Sequence, residues 1–229
     1  MYAQTLDTAN TITDPNYEPW TEISSNDQHV HELDMNDPLF CEGDDASFIY
    51  EVLDGVLSNY RLLADGRRQV ISFAYPGDLV GLGGETHHYN CDAISSVRVR
   101  SIPRTSLLSA ARECPELGHK LFQMATSELA DMQDSYVMLG RKSAVEKIAS
   151  FLLGLARRYE KDGMDVIAFD LPMTRSDIAD FLGLTIETVS RNFTKLRMAG
   201  VIDLPQSSKV VVRDMLKLEE LSEEDGSTF

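Results

Sequence analysis

The sequence predicts an α+β fold in which a β-roll is followed by a long helix and a winged helix-turn-helix. Three observations predict it: short alternating runs between glycines from Val30 to Pro103, a heptad-like apolar repeat from Phe122 to Leu139, and two capped short helices from Thr174 to Gly200. With 229 residues, 43% of them hydrophobic, the chain is long enough to bury a core in each module.

The start of the chain is polar. Residues 1–27 carry Asn, Thr, Asp and Pro with little periodicity, which predicts a flexible arm, and they lack the basic and then apolar pattern of an export signal. No apolar run in the chain reaches the length of a membrane span. The three cysteines form no CxxC pair, which favours a reducing compartment. The sequence therefore predicts a cytoplasmic protein without a membrane partner.

Residues 28–113 predict the β-roll. Gly43, Gly55, Gly66 and Gly77 are spaced 12, 11 and 11 residues apart, which is typical of turns between short strands. Two of these glycines follow an aspartate, the pair of residues that tight hairpin turns favour. Hydrophobic and polar residues alternate with period two between the turns, as they do in strands with one buried face.

Residues 114–140 predict one long helix with two apolar faces. Leu117, Leu121 and Met124 form one flank near its start. A second face is a seam of residues at steps of three and four: Phe122, Ala125, Leu129, Met132, Tyr136 and Leu139. If one face packs on the roll and the other on the same helix of a second subunit, the protein is a two-fold homodimer. The alternative is an ordinary buried helix in a monomer.

Gly140 interrupts this pattern, and residues 141–218 predict the winged helix-turn-helix. Thr174 and Asp177 have the spacing of a capping box, which starts a helix. Gly183 permits the turn, and Thr185 caps a second helix that Gly200 closes. The buried stripe of this second helix is predicted at Ile186, Val189, Phe193 and Leu196.

The outward face of the second helix carries the chemistry of DNA recognition. Glu187, Ser190 and Arg191 are predicted to read base edges, because carboxylate, hydroxyl and guanidinium groups bond to groove atoms of C and G. The residues predicted to contact the DNA backbone are Thr174, Arg175, Thr185, Thr188, Thr194, Lys195, Ser207 and Lys209. The alternative is a solvated helix face with an ion pair between Glu187 and Arg191.

Charge is distributed unevenly along the chain. The net charge is −16, but residues 141–213 carry 12 Lys and Arg against 9 Asp and Glu, so they are locally +3 and the remainder is −19. An acidic body is compatible with DNA binding when the basic module alone meets the duplex. Residues 219–229 predict an acidic tail, which is either a solvated end or a contact surface.

The segment from Thr174 to Arg191, TRSDIADFLGLTIETVSR, resembles the DNA-binding segment of the CRP/FNR superfamily. Its residues Glu187, Ser190 and Arg191 match the E-x-x-S-R signature of the FNR and FixK branch, and the glycine turns of the roll, the long helix and the wing extend the resemblance. It implies a roll of the cyclic-nucleotide-binding type and a homodimeric regulator, not an enzyme. It further implies a TTGA-N6-TCAA-like palindrome, activation through RNA polymerase, and control of oxygen-limited or redox-linked metabolism.

Two departures from the family bear on cofactors. Its cyclic AMP receptors use a Gly-Glu-Leu turn and then an Arg-Ser pair for ribose and phosphate, whereas this chain has Gly81-Leu-Gly and then Asp92-Ala93. An aspartate at that place would repel a phosphate. The FNR proteins carry an N-terminal cysteine cluster for an iron-sulfur centre, but residues 1–40 contain no cysteine. The chain is therefore predicted to bind no cyclic AMP, no iron-sulfur cluster and no other cofactor or metal.

Three alternatives to these predictions remain at this point. His87, His88 and Cys91 could hold haem or a metal ion, although their spacing matches no zinc pattern. The chain could be a small-molecule sensor that acts on a partner protein. It could also be a cupin-type enzyme, but the usual cluster of histidines and a carboxylate on neighbouring strands is missing, since His29 and His31 precede the predicted strands of the roll and His119 lies on a helix.

Overall fold

The computed structural model describes Ile23, residues 28–159 and residues 167–223. Apart from Ile23, the predicted flexible arm of residues 1–27 lies outside the described residues, as do residues 224–229 of the predicted acidic tail. Ile23 is buried in a cluster with Ile49 and Leu117. The predicted fold class is confirmed, with a roll, a long helix and a winged helix-turn-helix in that order.

The roll consists of two antiparallel four-stranded sheets. Its strands are β1 (His29–Leu33), β2 (Pro38–Phe40), β3 (Phe48–Asp54), β4 (Leu57–Leu62), β5 (Arg68–Ala74), β6 (Leu79–Val80), β7 (Asn90–Ala93) and β8 (Val97–Pro103). One sheet has the order β1-β8-β3-β6 and the other the order β2-β7-β4-β5. Both contribute to one cluster in which Leu57, Cys91 and Val99 are fully buried.

One feature of β1 corrects the sequence analysis. His29 and His31 do not precede the roll but lie in its first strand, which pairs with β8. The ring Nε2 of His31 is 2.9 Å from the Ser101 hydroxyl on that strand. The polar sequence of β1 does not indicate a strand. Four of its five side chains are exposed, and β1 lies at the edge of its sheet, where it pairs only with β8.

The turn between β3 and β4 requires the glycine that the sequence contains. Gly55 has φ +80°, which L side chains rarely adopt. A Cβ atom at this position would lie 2.1 Å from the carbonyl oxygen of Ser96. The Asp-Gly hairpin signal in the sequence therefore marks a place where the backbone of a neighbouring loop approaches too closely for any side chain.

Two helices follow the roll, α1 (Arg104–Glu113) and α2 (Pro115–Arg141). Leu117, Leu121 and Met124 of α2 pack on the roll, which is the flank expected to do so. The helix continues through Gly140, and the interruption comes at Lys142, which is extended with φ −81° and ψ 144°. The next helix begins here because the Ser143 backbone N–H and hydroxyl both donate to the Glu146 carboxylate.

The C-terminal module is larger than the sequence analysis predicted. It comprises α3 (Ala144–Tyr159), β9 (Ile167–Asp170), α4 (Arg175–Leu182), α5 (Ile186–Met198), β10 (Ile202–Gln206), β11 (Lys209–Val212) and α6 (Met215–Glu223). Strand β9 pairs with β11 and makes the wing three-stranded. Helix α6 packs on α3 and includes the first residues of the predicted acidic tail, with Leu221 and Ser222 buried.

The roll and the C-terminal module share a continuous apolar core. Phe73 of β5, Phe151 of α3 and Phe181 of α4 form a trio with ring centroids 5.4 to 6.3 Å apart. Met138 near the end of α2 belongs to the same cluster. Among the described residues, no helix combines the length and apolarity that a bilayer span needs.

Candidate nucleic-acid interface

Helix α4 begins at the predicted capping box. The Thr174 hydroxyl accepts from the Asp177 backbone N–H at 3.1 Å, and the Asp177 carboxylate accepts from the Thr174 backbone N–H at 2.9 Å. Ile178, Ala179 and Leu182 form the buried apolar face of this helix. Gly183 ends it in the left-handed conformation, with φ +63°. The local sequence therefore determines both ends of the first helix.

Helix α5 is also capped at both ends. The Thr185 hydroxyl accepts from the Thr188 backbone N–H at 3.2 Å. At the other end, Gly200 N–H donates to Arg197 and Val201 N–H to Leu196, which is the Schellman pattern around a left-handed glycine. Because backbone groups at both ends have hydrogen-bond partners, α5 is a well-defined helix of 13 residues.

One side of α5 packs against the rest of the C-terminal module. Val189, Phe193 and Leu196 are buried, which confirms most of the predicted stripe. Ile186 differs from the prediction, since it is 48% exposed at the first turn, where the helix protrudes from the core. Asn192, which the sequence analysis missed, is buried beside the stripe and donates from its Nδ2 to the Thr188 carbonyl at 2.9 Å.

The opposite side of α5 faces solvent. Glu187, Ser190 and Arg191 are all exposed, and they lie within its first two turns. Arg191 donates from Nη2 to the Thr188 hydroxyl at 3.4 Å. Among the described residues no carboxylate forms an ion pair with Arg191, so the alternative of a Glu187–Arg191 pair lacks support. The guanidinium is accessible to an external partner.

Glu187 is ionised at neutral pH. Its own backbone N–H and the Thr185 hydroxyl bond to its carboxylate and hold the pKa below the ordinary value. A carboxylate of this kind accepts hydrogen bonds but cannot donate them. The first turn of α5 therefore presents an obligate acceptor at Glu187 and an obligate donor at Arg191.

The residues predicted to contact the DNA backbone lie at the rim of this face. The exposed ones among them are Thr174, Thr185, Thr194, Lys195, Ser207 and Lys209. Thr188 is half-buried. Arg175 is half-buried as well, with its guanidinium carbon 3.6 Å above the centre of the Phe193 ring, and burial lowers the pKa of the guanidinium. Arg175 thus contacts α5 from the first turn of α4.

The predicted dimer seam of α2 is uncovered. All six of its residues are exposed in the single chain, with Phe122 at 67% and Tyr136 at 82%. Leu129 and Met132, in the middle of the seam, are 55% and 45% exposed. A row of large apolar side chains on one helix stripe is unusual for a surface that only water contacts.

Asp92 and the arginine beside the Gly81 turn are both bonded within the roll. Burial, together with the hydrogen bond that the Tyr60 hydroxyl donates to the Asp92 carboxylate, raises the pKa of Tyr60 to about 12. The guanidinium nearest the Gly81 turn, that of Arg104, donates instead to the carbonyls of Ala46 at 2.8 Å and Gly81 at 2.7 Å. The guanidinium beside the Gly81 turn is therefore already bonded to two backbone carbonyls.

The residues considered as haem or metal ligands have different surroundings. His87 is buried and stacks on Phe40 with ring centroids 3.6 Å apart, and burial lowers its pKa. His88 is exposed, while Cys91 is fully buried and burial raises its pKa, which leaves an unreactive thiol. The described residues contain no group of three or more metal-binding side chains.

The capping box also makes a contact that the sequence analysis missed. The second oxygen of the Asp177 carboxylate accepts from Arg68 Nη1 at 2.7 Å, and Arg68 lies 109 residues earlier, in β5. Burial by itself would raise the pKa of Asp177, but the bonds from Thr174 and Arg68 outweigh it and hold the pKa below the ordinary value. No local pattern of the sequence indicates this pair.

Stability should depend on pH through Asp177. A carboxylate with a lowered pKa in the folded state stabilises the fold above its unfolded pKa of about 3.9, and that contribution disappears as the pH falls through the folded value. We expect Asp177→Asn to be less stable than the wild type at pH 6, with the difference shrinking towards pH 3. Urea unfolding of both proteins at each pH measures this. A difference that does not change with pH would contradict it.

Comparison with known proteins gives two family matches. Residues 30–114 match the cyclic nucleotide-binding domain and residues 146–221 match the Crp-like helix-turn-helix domain.

The chain is 44% identical to the nitrogen fixation regulation protein FixK of Bradyrhizobium diazoefficiens over 178 residues, which are 76% of this chain and 74% of the relative. It is 41% identical to the transcriptional activatory protein AadR of Rhodopseudomonas palustris over 186 residues, 80% of this chain and 77% of the relative. Among solved structures it is similar to FixK2 from Bradyrhizobium japonicum, with 35% identity, a TM-score of 0.79, and coverage of 88% of this chain and 99% of that one.

Proposed function

The chain belongs to the CRP/FNR family of transcription regulators, on its FixK-like branch, and we propose that it is an activator that binds a TTGA-N6-TCAA-like palindrome as a homodimer. The observation that carries this proposal is the solvent-facing first half of α5, where Glu187, Ser190 and Arg191 lie side by side. A helix with a buried stripe and such an outer face can enter a major groove.

The chemistry of the three side chains fits the half-site. Arginine bonds in bidentate fashion to O6 and N7 of guanine, glutamate accepts from the cytosine amino group, and serine bonds to either type of edge. Arg191 and Glu187 therefore match the G·C pair of TTGA. We propose these two as the principal readers of sequence, with Ser190 beside them.

Backbone contacts would position the helix. Lys195, Lys209 and Ser207 are exposed at the rim, on α5 and on the turn of the wing. The N-terminal N–H groups of α4 and α5 add dipoles that favour phosphate, next to Thr174 and Thr185. These contacts carry affinity and register, but they do not distinguish sequences.

The exposed seam of α2 supports the homodimer. A second copy of the chain carries the same stripe, so a two-fold axis along α2 would cover the seam of both subunits at once. The palindrome has the same symmetry, and the centres of its half-sites lie ten base pairs apart, which is about one turn of B-DNA. Two copies of α5 related by the axis would then read the two half-sites from one face of the duplex.

The uneven charge supports the orientation on DNA. Residues 141–213 are locally +3 while the remainder of the chain is −19. The acidic roll would be repelled by the phosphates, so the C-terminal module alone is expected to meet the duplex. Because chromosomal DNA is the proposed target, we propose the cytoplasm as the location.

The proposed regulation follows the relatives by analogy. AadR is named a transcriptional activatory protein and FixK a nitrogen fixation regulation protein. We propose that this chain likewise activates transcription, with RNA polymerase as a partner, in oxygen-limited or redox-linked metabolism. The Arg104 guanidinium, which is already bonded to backbone carbonyls beside the Gly81 turn, supports a regulator that needs no cyclic nucleotide.

The proposal predicts selective binding without an added effector. We expect the full-length protein to bind the palindrome about a thousandfold more tightly than a scrambled duplex of equal length, within the range of specific regulators. Cyclic AMP should leave the affinity unchanged, because Asp92 opposes its phosphate. Fluorescence anisotropy at fixed salt measures both.

Two outcomes would contradict it. Equal affinity for palindrome and scrambled duplex would favour the small-molecule sensor that acts on a partner protein. Tight binding only in the presence of cyclic AMP would show that the roll accepts the nucleotide despite Asp92.

A further inference from the structure

The C-terminal module is attached to the roll of its own chain by polar contacts from β5. Arg68 Nη1 donates to Asp177 Oδ1 at 2.7 Å, at the start of α4. The neighbouring Gln69 donates from Nε2 to the Asp180 carbonyl at 2.7 Å. Two adjacent residues of the roll therefore hold the first helix of the helix-turn-helix, one at its cap and one at its backbone.

The Arg68 guanidinium is also held from the side of the roll. Its Nη2 donates to the fully buried Ser58 hydroxyl at 3.0 Å, and its carbon lies 4.2 Å above the centre of the Tyr60 ring. The side chains of Arg68 and Asp177 are only 26% and 12% exposed. The pair is partly shielded from water and salt, unlike the surface pairs whose contribution is small.

The attachment does not cover the face that would meet DNA. Glu187 and Arg191 remain exposed on α5 while α4 is held by the roll. The covalent connection between α2 and the module is Lys142 and Ser143 alone, so the angle of the module depends on non-covalent contacts. The phenylalanine trio supplies some of these contacts. Apolar contacts allow one surface to slide on the other, whereas a hydrogen-bonded ion pair at the cap of α4 defines the orientation of that helix.

A dimer on a palindrome needs a fixed distance between its two recognition helices. Each base-pair change in the spacer moves a half-site by about 3.4 Å and rotates it about the duplex axis. A module that is free to tilt could reach half-sites at several spacings, but it would lose more conformational entropy on binding. A module held by its roll would fit one spacer.

We propose that Arg68 of the roll is a positioning residue for DNA binding. By holding the Asp177 carboxylate it sets the angle of the helix-turn-helix on the roll, and thereby the spacing between the two α5 helices of the dimer. This inference rests on the proposed function, because it requires a dimer that binds two half-sites.

The test compares spacer preference in Arg68→Met and Arg67→Met. Methionine keeps an unbranched apolar stem but removes the guanidinium, and Asp177 retains its bonds from Thr174, so the cap of α4 remains. Arg67 is the matched control, since its side chain is 77% exposed and, within the described part of the chain, forms an ion pair only with Asp65 in its own turn. The probes are duplexes with the six-base-pair spacer and with spacers one base pair shorter and longer.

We expect Arg68→Met to bind the six-base-pair palindrome about tenfold more weakly, which corresponds to ~1.4 kcal/mol, and to discriminate less between the three spacers. Arg67→Met should keep the affinity and the spacer profile of the wild type. Arg68→Lys should recover part of the preference, because its ammonium can still pair with Asp177. If Arg68→Met fails to fold, Gln69→Met, which removes the bond to the Asp180 carbonyl, should show the same loss of spacer discrimination.

Two results would overturn the inference while leaving the proposed function intact. An Arg68→Met protein with the spacer profile of Arg67→Met would show that the pair has no positioning role. Tighter binding by Arg68→Met would show that the contact restrains the module from DNA. A wild type that does not prefer the palindrome would overturn the proposed function and this inference together.

Discussion

Leu129→Glu is expected to separate the dimer into single subunits and to weaken binding to the palindrome by at least about a hundredfold. Leu129 is 55% exposed in the middle of the α2 seam. In the dimer each new carboxylate would lie against its symmetry mate in an apolar stripe, where an unpaired charge costs several kcal/mol. A single subunit can contact only one half-site, so it loses the affinity that the second contributes. Sedimentation velocity and fluorescence anisotropy measure the two effects.

Ala130→Glu is the matched control for this prediction. It adds the same charge one residue along α2, at an exposed position that points away from both the seam and the roll. We expect it to remain dimeric and to bind the palindrome like the wild type. A dimeric Leu129→Glu protein would refute the seam, and loss of binding in both variants would indicate damage to the helix instead.

Arg191→Ala is expected to weaken binding by about 1–3 kcal/mol per half-site and to relax the preference for the G·C pair of TTGA. The guanidinium has no carboxylate partner in the described part of the chain, so its removal leaves no charge unpaired within the protein. Stability should therefore change little. Anisotropy with duplexes substituted at the G·C pair separates lost readout from general weakening.

Arg197→Ala is the control for Arg191→Ala. It removes an exposed arginine from the last turn of the same helix, beyond the first two turns that carry Glu187 and Arg191. We expect it to keep the preference for the G·C pair. An unaltered sequence preference in Arg191→Ala would show that this residue does not read bases.

Local interactions explain which parts of the fold could be predicted. The caps at Thr174 and Thr185 and the turn at Gly183 each depend on residues three or four positions apart, so the sequence displays them directly. The seam of α2 is visible for the same reason, because its period follows the helix. The exposure of Ile186 was not predictable, since a stripe does not reveal where its helix leaves the core.

Other elements depend on partners that are distant in the sequence. Strand β9 has four residues and gains its identity from pairing with β11. Helix α6 has an acidic sequence that suggests a solvated tail, and it is ordered by packing on α3. Gly140 suggests a break in α2, but the helix continues through it until the Glu146 carboxylate caps the next helix at Ser143. For β9 and α6, a tertiary contact therefore outweighs a local preference.

The sequence by itself determined the order of the modules, both ends of the helix-turn-helix and the outward position of Glu187 and Arg191, because periodicity and capping act over a few residues. Only the tertiary structure decided how the C-terminal module sits on the roll. Arg68 and Asp177 are 109 residues apart; in its own segment Arg68 looks like an ordinary surface charge, and Asp177 looks like a helix cap and nothing more. Nothing in a linear pattern brings two such charges together, because only the packing of β5 against α4 does so. That packing gives the orientation that we propose for reading a palindrome.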